Sequence, residues 1–263
     1  MAASQSSPAK SKYFEIIKPI LDCDIIFDIS KLKSHTLTQL SANVKNLFGC
    51  IPGVFKAEQH ARFKNQTDFQ SALVDLAQAL GEKKDIICLT DAIVAMQGNG
   101  PTGGTPKKIG CIIASKSIFC ADLVCARLIC QRDGGKEAAR VKMLGFAAQR
   151  GLCPVSSDEV EILGDNPDSF TVSDFIQPDT NLKKWFDVIP KWLSPRPEIN
   201  VKKCVGCGRC AAVCPAKAIV IATEGKKVAK ISRKDCIHCF CCQELCPIHA
   251  VDVKKNLIFK LIK

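Results

Sequence analysis

Two copies of one cysteine phrase near the end of the chain restrict its possible folds more than any other feature. The first runs Cys204-Val-Gly-Cys207-Gly-Arg-Cys210-Ala-Ala-Val-Cys214-Pro215. The second runs Cys236-Ile-His-Cys239-Phe-Cys-Cys242-Gln-Glu-Leu-Cys246-Pro247. Each reads C-x2-C-x2-C-x3-C-P, the bacterial spacing for a pair of [4Fe–4S] clusters. In that arrangement the first three cysteines of a copy bind one cluster and the fourth binds the other. Cluster I is therefore expected on Cys204, Cys207, Cys210 and Cys246, and cluster II on Cys236, Cys239, Cys242 and Cys214. Pro215 and Pro247 turn the chain away after the exchanged ligand. Gly206 and Gly208 let the backbone pass close to the sulfurs. Cys241 is expected as a spare thiol beside cluster II. Structural zinc uses four ligands in two C-x2-C pairs and does not explain a duplicated four-cysteine phrase. Electron transfer is the first functional reading.

Nine of the 17 cysteines remain, and outside the duplicated region they show no C-x2-C pairing. Most lie in apolar stretches, where cysteine behaves as a small hydrophobe. Such thiols fit a reducing interior, and a cytoplasmic location is expected. Residues 1–12 are rich in Ala, Ser and Lys and read as a disordered tail without a signal-peptide core. The most apolar stretch, residues 109–130, is broken by Lys116, Asp122 and Arg127, so no membrane span is expected.

The net charge of +11 is concentrated at the end. Residues 200–263 hold 13 Lys and Arg against 4 Asp and Glu, while residues 1–199 hold 24 against 22. Two oxidised clusters with their thiolates bring about −4, which leaves roughly +5 on the tail region. A solvated basic face balancing anionic clusters and a surface that steers in an acidic redox partner are both compatible with this charge. Nucleic acid is not expected, because no aromatic residues interleave with the basic ones.

Apolar content of 47% supports a sizeable core. Residues 13–165 alternate strand and helix patterns, within an α/β domain expected over 13–193. Strands are expected at 24–29, 85–89, 109–114 and 160–163. Helices are expected at 40–48, from an N-cap at Thr67 to Gly81, at 117–130 and at 137–150. Trp185, Phe186, Ile189 and Leu193 suggest a short amphipathic helix. Residues 194–197 form a Pro-rich linker. A small ferredoxin-like domain then spans 198–263, with strands at 218–222, 228–231 and 250–253, and a last strand or tail at 256–262. The expected fold class is a layered α/β domain followed by a small α+β two-cluster ferredoxin-like domain.

In open α/β sheets, sites gather at the carboxyl ends of strands. Lys31, Lys33 and His35 follow the first expected strand, and Asp91 follows the second. The lysines suit an anion and His35 a proton transfer near neutral pH. The loop 98–106 is glycine-rich, and Gly98, Gly100, Gly103 and Gly104 are candidate phosphate- or carboxylate-binding positions. The same glycines also suit plain turns.

Lys31-Leu-Lys-Ser-His-Thr-Leu-Thr38, Lys45-Asn-Leu-Phe-Gly49, Asp91-Ala-Ile and Met96-Gln-Gly-Asn-Gly-Pro101 together resemble the "domain of unknown function 362" family of iron–sulfur proteins. The resemblance covers roughly residues 13–250. It implies an α/β domain joined to a two-cluster ferredoxin module. It also implies a further α/β segment ahead of residue 1, so the sheet is expected to lack N-terminal strands. The family carries no single activity. An iron–sulfur oxidoreductase, or a subunit of one, would pass electrons to an anionic small molecule at Lys31, Lys33, His35 and Asp91. A plain electron carrier would use the α/β domain as a docking or anion- and nucleotide-binding scaffold. Either would work with a redox protein partner.

Overall fold

From Ile25 onward, side chains alternate between two environments. Ile26, Asp28, Ser30, Leu32 and Ser34 are buried, while Ile25, Phe27, Ile29 and Lys31 are exposed. A period of two keeps a chain extended. The computed structural model describes residues 13–52, 55, 63, 66–100, 104–130, 137–178, 196–238 and 240–254. In it this run is a single strand, β1 (Ile25–His35). It joins β2 (Gln39–Ser41), β3 (Asp85–Gln97) and β4 (Thr105–Ser115) in a sheet of order β2-β1-β3-β4. The central pair β1–β3 is parallel, and both flanking pairs are antiparallel.

Six helices accompany the sheet among the described residues of this part: α1 (Lys18–Asp22), α2 (Asn43–Asn46), α3 (Gln66–Gly81), α4 (Ile118–Ile129), α5 (Glu137–Arg140) and α6 (Lys142–Gln149). In α3, Phe69, Leu73, Leu76 and Leu80 return at helical spacing and are all buried. Full burial of such a side chain contributes about 1.5–3 kcal/mol. Phe69 also meets Phe48 edge to face, with ring centroids 5.3 Å apart. Ser117 caps α4 by accepting the Cys120 N–H. The helices cover one face of the sheet. On the other, Phe27 and Ile29 are each 66% exposed and Ile112 57%. Among the described residues, no helix is long and apolar enough to cross a membrane.

Several elements depart from the sequence expectations. β1 and β3 run well past residues 29 and 89, because the polar residues Ser30, Ser34 and Thr90 point inward and find hydrogen-bond partners there. Residues 40–48 form β2, α2 and a 3-10 turn (Leu47–Cys50) rather than one helix. Helix α3 starts at Gln66, so Thr67 lies inside it. The helix expected over 137–150 breaks at Val141 (φ −101°, ψ 104°). There the Met143 N–H goes to the Gln70 Oε1 at 3.1 Å instead of continuing a helical ladder. Residues 160–163 are not a strand. Their neighbourhood consists of 3-10 turns, Ser157–Glu159 and Pro167–Phe170. Buried Arg127 pins these turns by donating to Asp158 (2.9 Å), Ser157 (3.3 Å) and Asp168 (2.8 Å).

Chain contacts divide the molecule into two compact units, Met1–Pro52 with Asn65–Thr180, and Gly53–Lys64 with Asn181–Lys263. In the second, β5 (Arg196–Ile199) pairs with β8 (Val251–Lys254), and β6 (Ile219–Ile221) pairs with β7 (Ala229–Ile231), both antiparallel. Two short helices, α7 (Arg209–Ala212) and α8 (Cys241–Glu244), accompany them among the described residues. Arg196 and Pro197 of the expected linker therefore belong to a strand, with Pro197 opposite Val253. The core joins Ile219, Val228, Ala229, Ala250 and Val251 to Cys204, Cys210 and Cys242. Residues 1–12, 185–195 and 256–262, and with them the expected tail, amphipathic helix and last strand, lie outside the described residues.

The β3–β4 connection is the glycine-rich loop, and it is clasped against β1. A Cβ at Gly100 would lie 2.1 Å from the Ser34 carbonyl oxygen. Gly100→Ala is expected to lower stability by about 1–3 kcal/mol through overpacking. Urea unfolding of the full chain checks this, and an unchanged midpoint contradicts the clasp.

Candidate metal centre

Corresponding positions in the two cysteine copies adopt matching backbone conformations. Gly206 (φ 66°) corresponds to His238 (56°), Gly208 (78°) to Phe240 (60°) and Lys217 (48°) to His249 (48°). Left-handed residues beside right-handed ones turn successive N–H groups toward one concave side, the geometry that holds anions. Glycine adopts this conformation without steric cost, whereas a side-chain-bearing residue there costs roughly 1–2 kcal/mol. The second copy accepts that cost at His238 and Phe240. The sequence gives no glycine signal at these positions, and only superposition of the repeat reveals them.

The thiols follow the same symmetry. The Ala218 N–H donates to the Cys214 Sγ at 3.2 Å, and the Ala250 N–H donates to the Cys246 Sγ at 3.2 Å. The Ala229 N–H donates to the Cys204 Sγ at 3.4 Å. Cys204, Cys210 and Cys242 are buried, Cys214, Cys236 and Cys246 half-buried, and Cys207 exposed. Cys241, the expected spare thiol, is buried at the start of α8. Cys239 lies outside the described residues.

One cavity in this unit is lined by Cys204, Cys207, Cys210 and Cys246, with Ile199, Ile221, Ile248 and Val251 among its apolar walls. Three of these cysteines come from the first copy and the fourth from the second. Among the described residues, no three His, Cys, Asp or Glu side chains meet closely enough to hold a single metal ion. The four thiols surround a space instead of converging on a point. An all-sulfur donor set with N–H groups on its sulfurs and apolar walls fits a polynuclear iron–sulfur cluster.

The N-terminal candidates fare differently. Lys31 and Asp91 are paired across β1 and β3 at 2.7 Å, with each side chain nearly half exposed. The Lys31 hydrogen bond, helped by the Ile93 N–H, holds the Asp91 carboxyl below its ordinary range. Lys33 and His35 alternate with Lys31 along the same strand, but His35 is 2% exposed, and its Nδ1 accepts the Leu37 N–H at 3.1 Å. These residues therefore lie within the strand and not in a loop at its end. The Gly98 N–H donates to the Ile176 carbonyl and the Gly100 N–H to the Gly98 carbonyl. Their carbonyls accept from Ser34 (2.6 Å) and Thr36 (3.2 Å). Gly98 and Gly100 thus spend their N–H groups on the chain itself. Gly104 closes the hairpin, where an added Cβ would lie 2.2 Å from the Gln97 carbonyl oxygen. Gly103 lies outside the described residues.

A polar network that the sequence analysis missed lies between the sheet and the helices. The Asp122 carboxylate on α4 accepts the N–H groups of Asn43 (2.7 Å) and Val44 (3.1 Å), so one helix caps the start of another. The Asn43 amide reaches Thr90 (2.7 Å) and Asp122 (3.0 Å), and Ser30 donates to Asn43 (3.0 Å). Asn46 donates to Asp28 at 2.6 Å. Burial pushes Asp28 up to about 6 and Asp122 up to about 7. It also pushes the Cys88 thiol, beside both carboxyls, up to about 12. An apolar-looking α4 with one acidic residue was the available signal for Asp122.

Residues 3–127 match the family model described as "Domain of unknown function (DUF362)", and residues 203–250 match that of a "4Fe-4S dicluster domain". The chain is 36% identical over 147 residues to a protein of Synechocystis sp. described as thylakoid-associated. That match covers 56% of this chain and 43% of the relative, so the chain spans less than half the length of the curated relative it matches.

A carboxyl whose pKa is raised by folding contributes stability in full below its unfolded value of 3.8, and loses it as pH rises through its folded value. Thermal unfolding of the N-terminal unit is therefore expected at lower temperature at pH 8 than at pH 5. Asp28→Asn should flatten that decline. A midpoint that climbs over the same range contradicts the assignment.

Proposed function

We propose that this chain, a DUF362 segment joined to an iron–sulfur module, is a ferredoxin-type electron carrier with two [4Fe–4S] clusters. Cys204, Cys207, Cys210 and Cys246 would hold the first, and Cys236, Cys239, Cys242 and Cys214 the second. The observation that carries this reading is the cavity in which Cys246 of the second copy joins three cysteines of the first. Bound clusters supply one-electron redox chemistry at potentials set by burial and by hydrogen bonds to sulfur. The chain's own part is to position the thiolates, donate the Ala229 and Ala250 N–H groups to Cys204 and Cys246, and exclude water with Ile199, Ile221 and Val251.

The N-terminal unit enters this reading as a scaffold. A redox site for an anionic small molecule on β1 would need Lys31, Lys33 and His35 to reach solvent together. Lys31 is engaged by Asp91, and His35 is buried. Titration of the chain with phosphate, nucleotides and flavin is expected to give no binding. A ligand lost in Lys33→Ala would restore the oxidoreductase reading. A reducing, cytoplasmic setting suits the many buried thiols.

Iron and acid-labile sulfide after anaerobic purification are expected to approach about eight of each per chain. Cys246→Ala should remove about half of the iron, and Cys241→Ala should leave it in place. About four of each in the unaltered chain would refute the two-cluster assignment.

A further inference from the structure

The basic charge of the C-terminal unit has a local focus. Cys207 is exposed, while the other described cysteines of the two phrases are buried or half-buried. Among the described cysteines of the phrases, solvent comes closest to the thiols at this point. Val205 lines the same cavity as Cys207 and is 64% exposed, and Val201 earlier in the segment is 52% exposed. Lys202, Lys203 and Arg209 are exposed in the same short segment, which contains no acidic residue. Two more cations come from the β6–β7 turn. Lys226 donates to the Val201 carbonyl at 2.7 Å. The Lys227 side chain runs beside Gly206, where its Cγ would lie 3.0 Å from an added Cβ. Asp252 is engaged by the Asn200 amide and Glu198 by Lys254, and the β6–β7 turn carries one exposed carboxylate, Glu224, against its two lysines.

We infer that this segment, exposed Cys207 and Val205 together with Lys202, Lys203, Arg209 and the two lysines of the β6–β7 turn, docks an acidic redox protein. It rests on the electron-carrier reading and assigns that activity a port. One electron crosses from the reduced to the oxidised member of the pair, and no bond is made or broken. The lysines raise the encounter rate by steering, and the effect weakens as salt screens it. Val201 and Val205 supply the desolvated centre that an interface needs inside a polar rim.

Two charge-reversal pairs with equal change in net charge separate this port from the overall charge. Lys202→Glu with Lys203→Glu alters the port. Arg233→Glu with Lys234→Glu alters exposed residues of the second copy. Electron exchange of the iron-loaded chain would be measured on carboxylate-terminated and amine-terminated gold electrodes. Exchange is expected to be faster on carboxylate and to fall with salt. The first pair should slow it by about tenfold and the second by less than about twofold. Independently of redox activity, carbodiimide coupling of a glutamate-rich peptide should mark Lys202, Lys203, Lys226 or Lys227. Equal effects of the two pairs, faster exchange on the amine surface, or coupling centred on Lys217 or Lys234 would overturn the port. Iron content keeps the two ideas apart. A chain without iron removes the electron-carrier reading, whereas an iron-loaded chain indifferent to the first pair removes only the port.

Discussion

The C-terminal unit depends on a crossing. Its second cysteine phrase sends Cys246 to the cavity lined by Cys204, Cys207 and Cys210 of the first. The β5–β8 pairing carries the chain to that position, and the core around Ile219, Ala229 and Val251 packs directly against the thiols. With strands of three or four residues, the unit has little sheet to stabilise it. Small domains of this kind use covalent or metal crosslinks where a hydrophobic core is insufficient. A cluster held by cysteines of both copies would tie the two halves of the unit together as well as carry charge.

The N-terminal unit solves a different problem. Its helix layer is registered on the sheet by polar groups that have left water. Asp122 holds the first two N–H groups of α2, Asn43 ties that helix to Thr90, and Asn46 ties it to Asp28. Such a network specifies one arrangement because each misplacement leaves a buried group without a partner. Burial raises the proton affinity of Asp28 and Asp122, and the network's own hydrogen bonds to the two carboxyls offset part of that rise.

The repeat made the C-terminal unit legible. Its spacing and the strands at β6, β7 and β8 were readable, because metal ligation imposes local sequence rules, whereas β5 was hidden by the prolines that read as a linker. In the N-terminal unit, long runs of period such as α3 and α4 were equally clear. The strand ends were not. Ser30, Ser34 and Thr90 read as loop residues by polarity, whereas their partners come from residues far along the chain. For the same reason Lys31, Lys33 and His35 looked like a loop constellation, and only the extended strand reveals that one is paired and another buried. The break at Val141 depends on Gln70, about 70 residues earlier, and no local window contains both.

Among the described residues of the N-terminal unit, the side of the sheet opposite the helices has the character of an amphiphile's apolar half. Ile25, Phe27, Ile29, Leu89 and Ile112 present a flat apolar surface opposite the helices. Residues 1–199 are close to charge balance, so little electrostatic repulsion keeps that surface apart from others. Exposed apolar patches of this kind mark surfaces that associate with other apolar matter. For this unit, the state of the sheet face is then set by what it meets and not by its own helices alone.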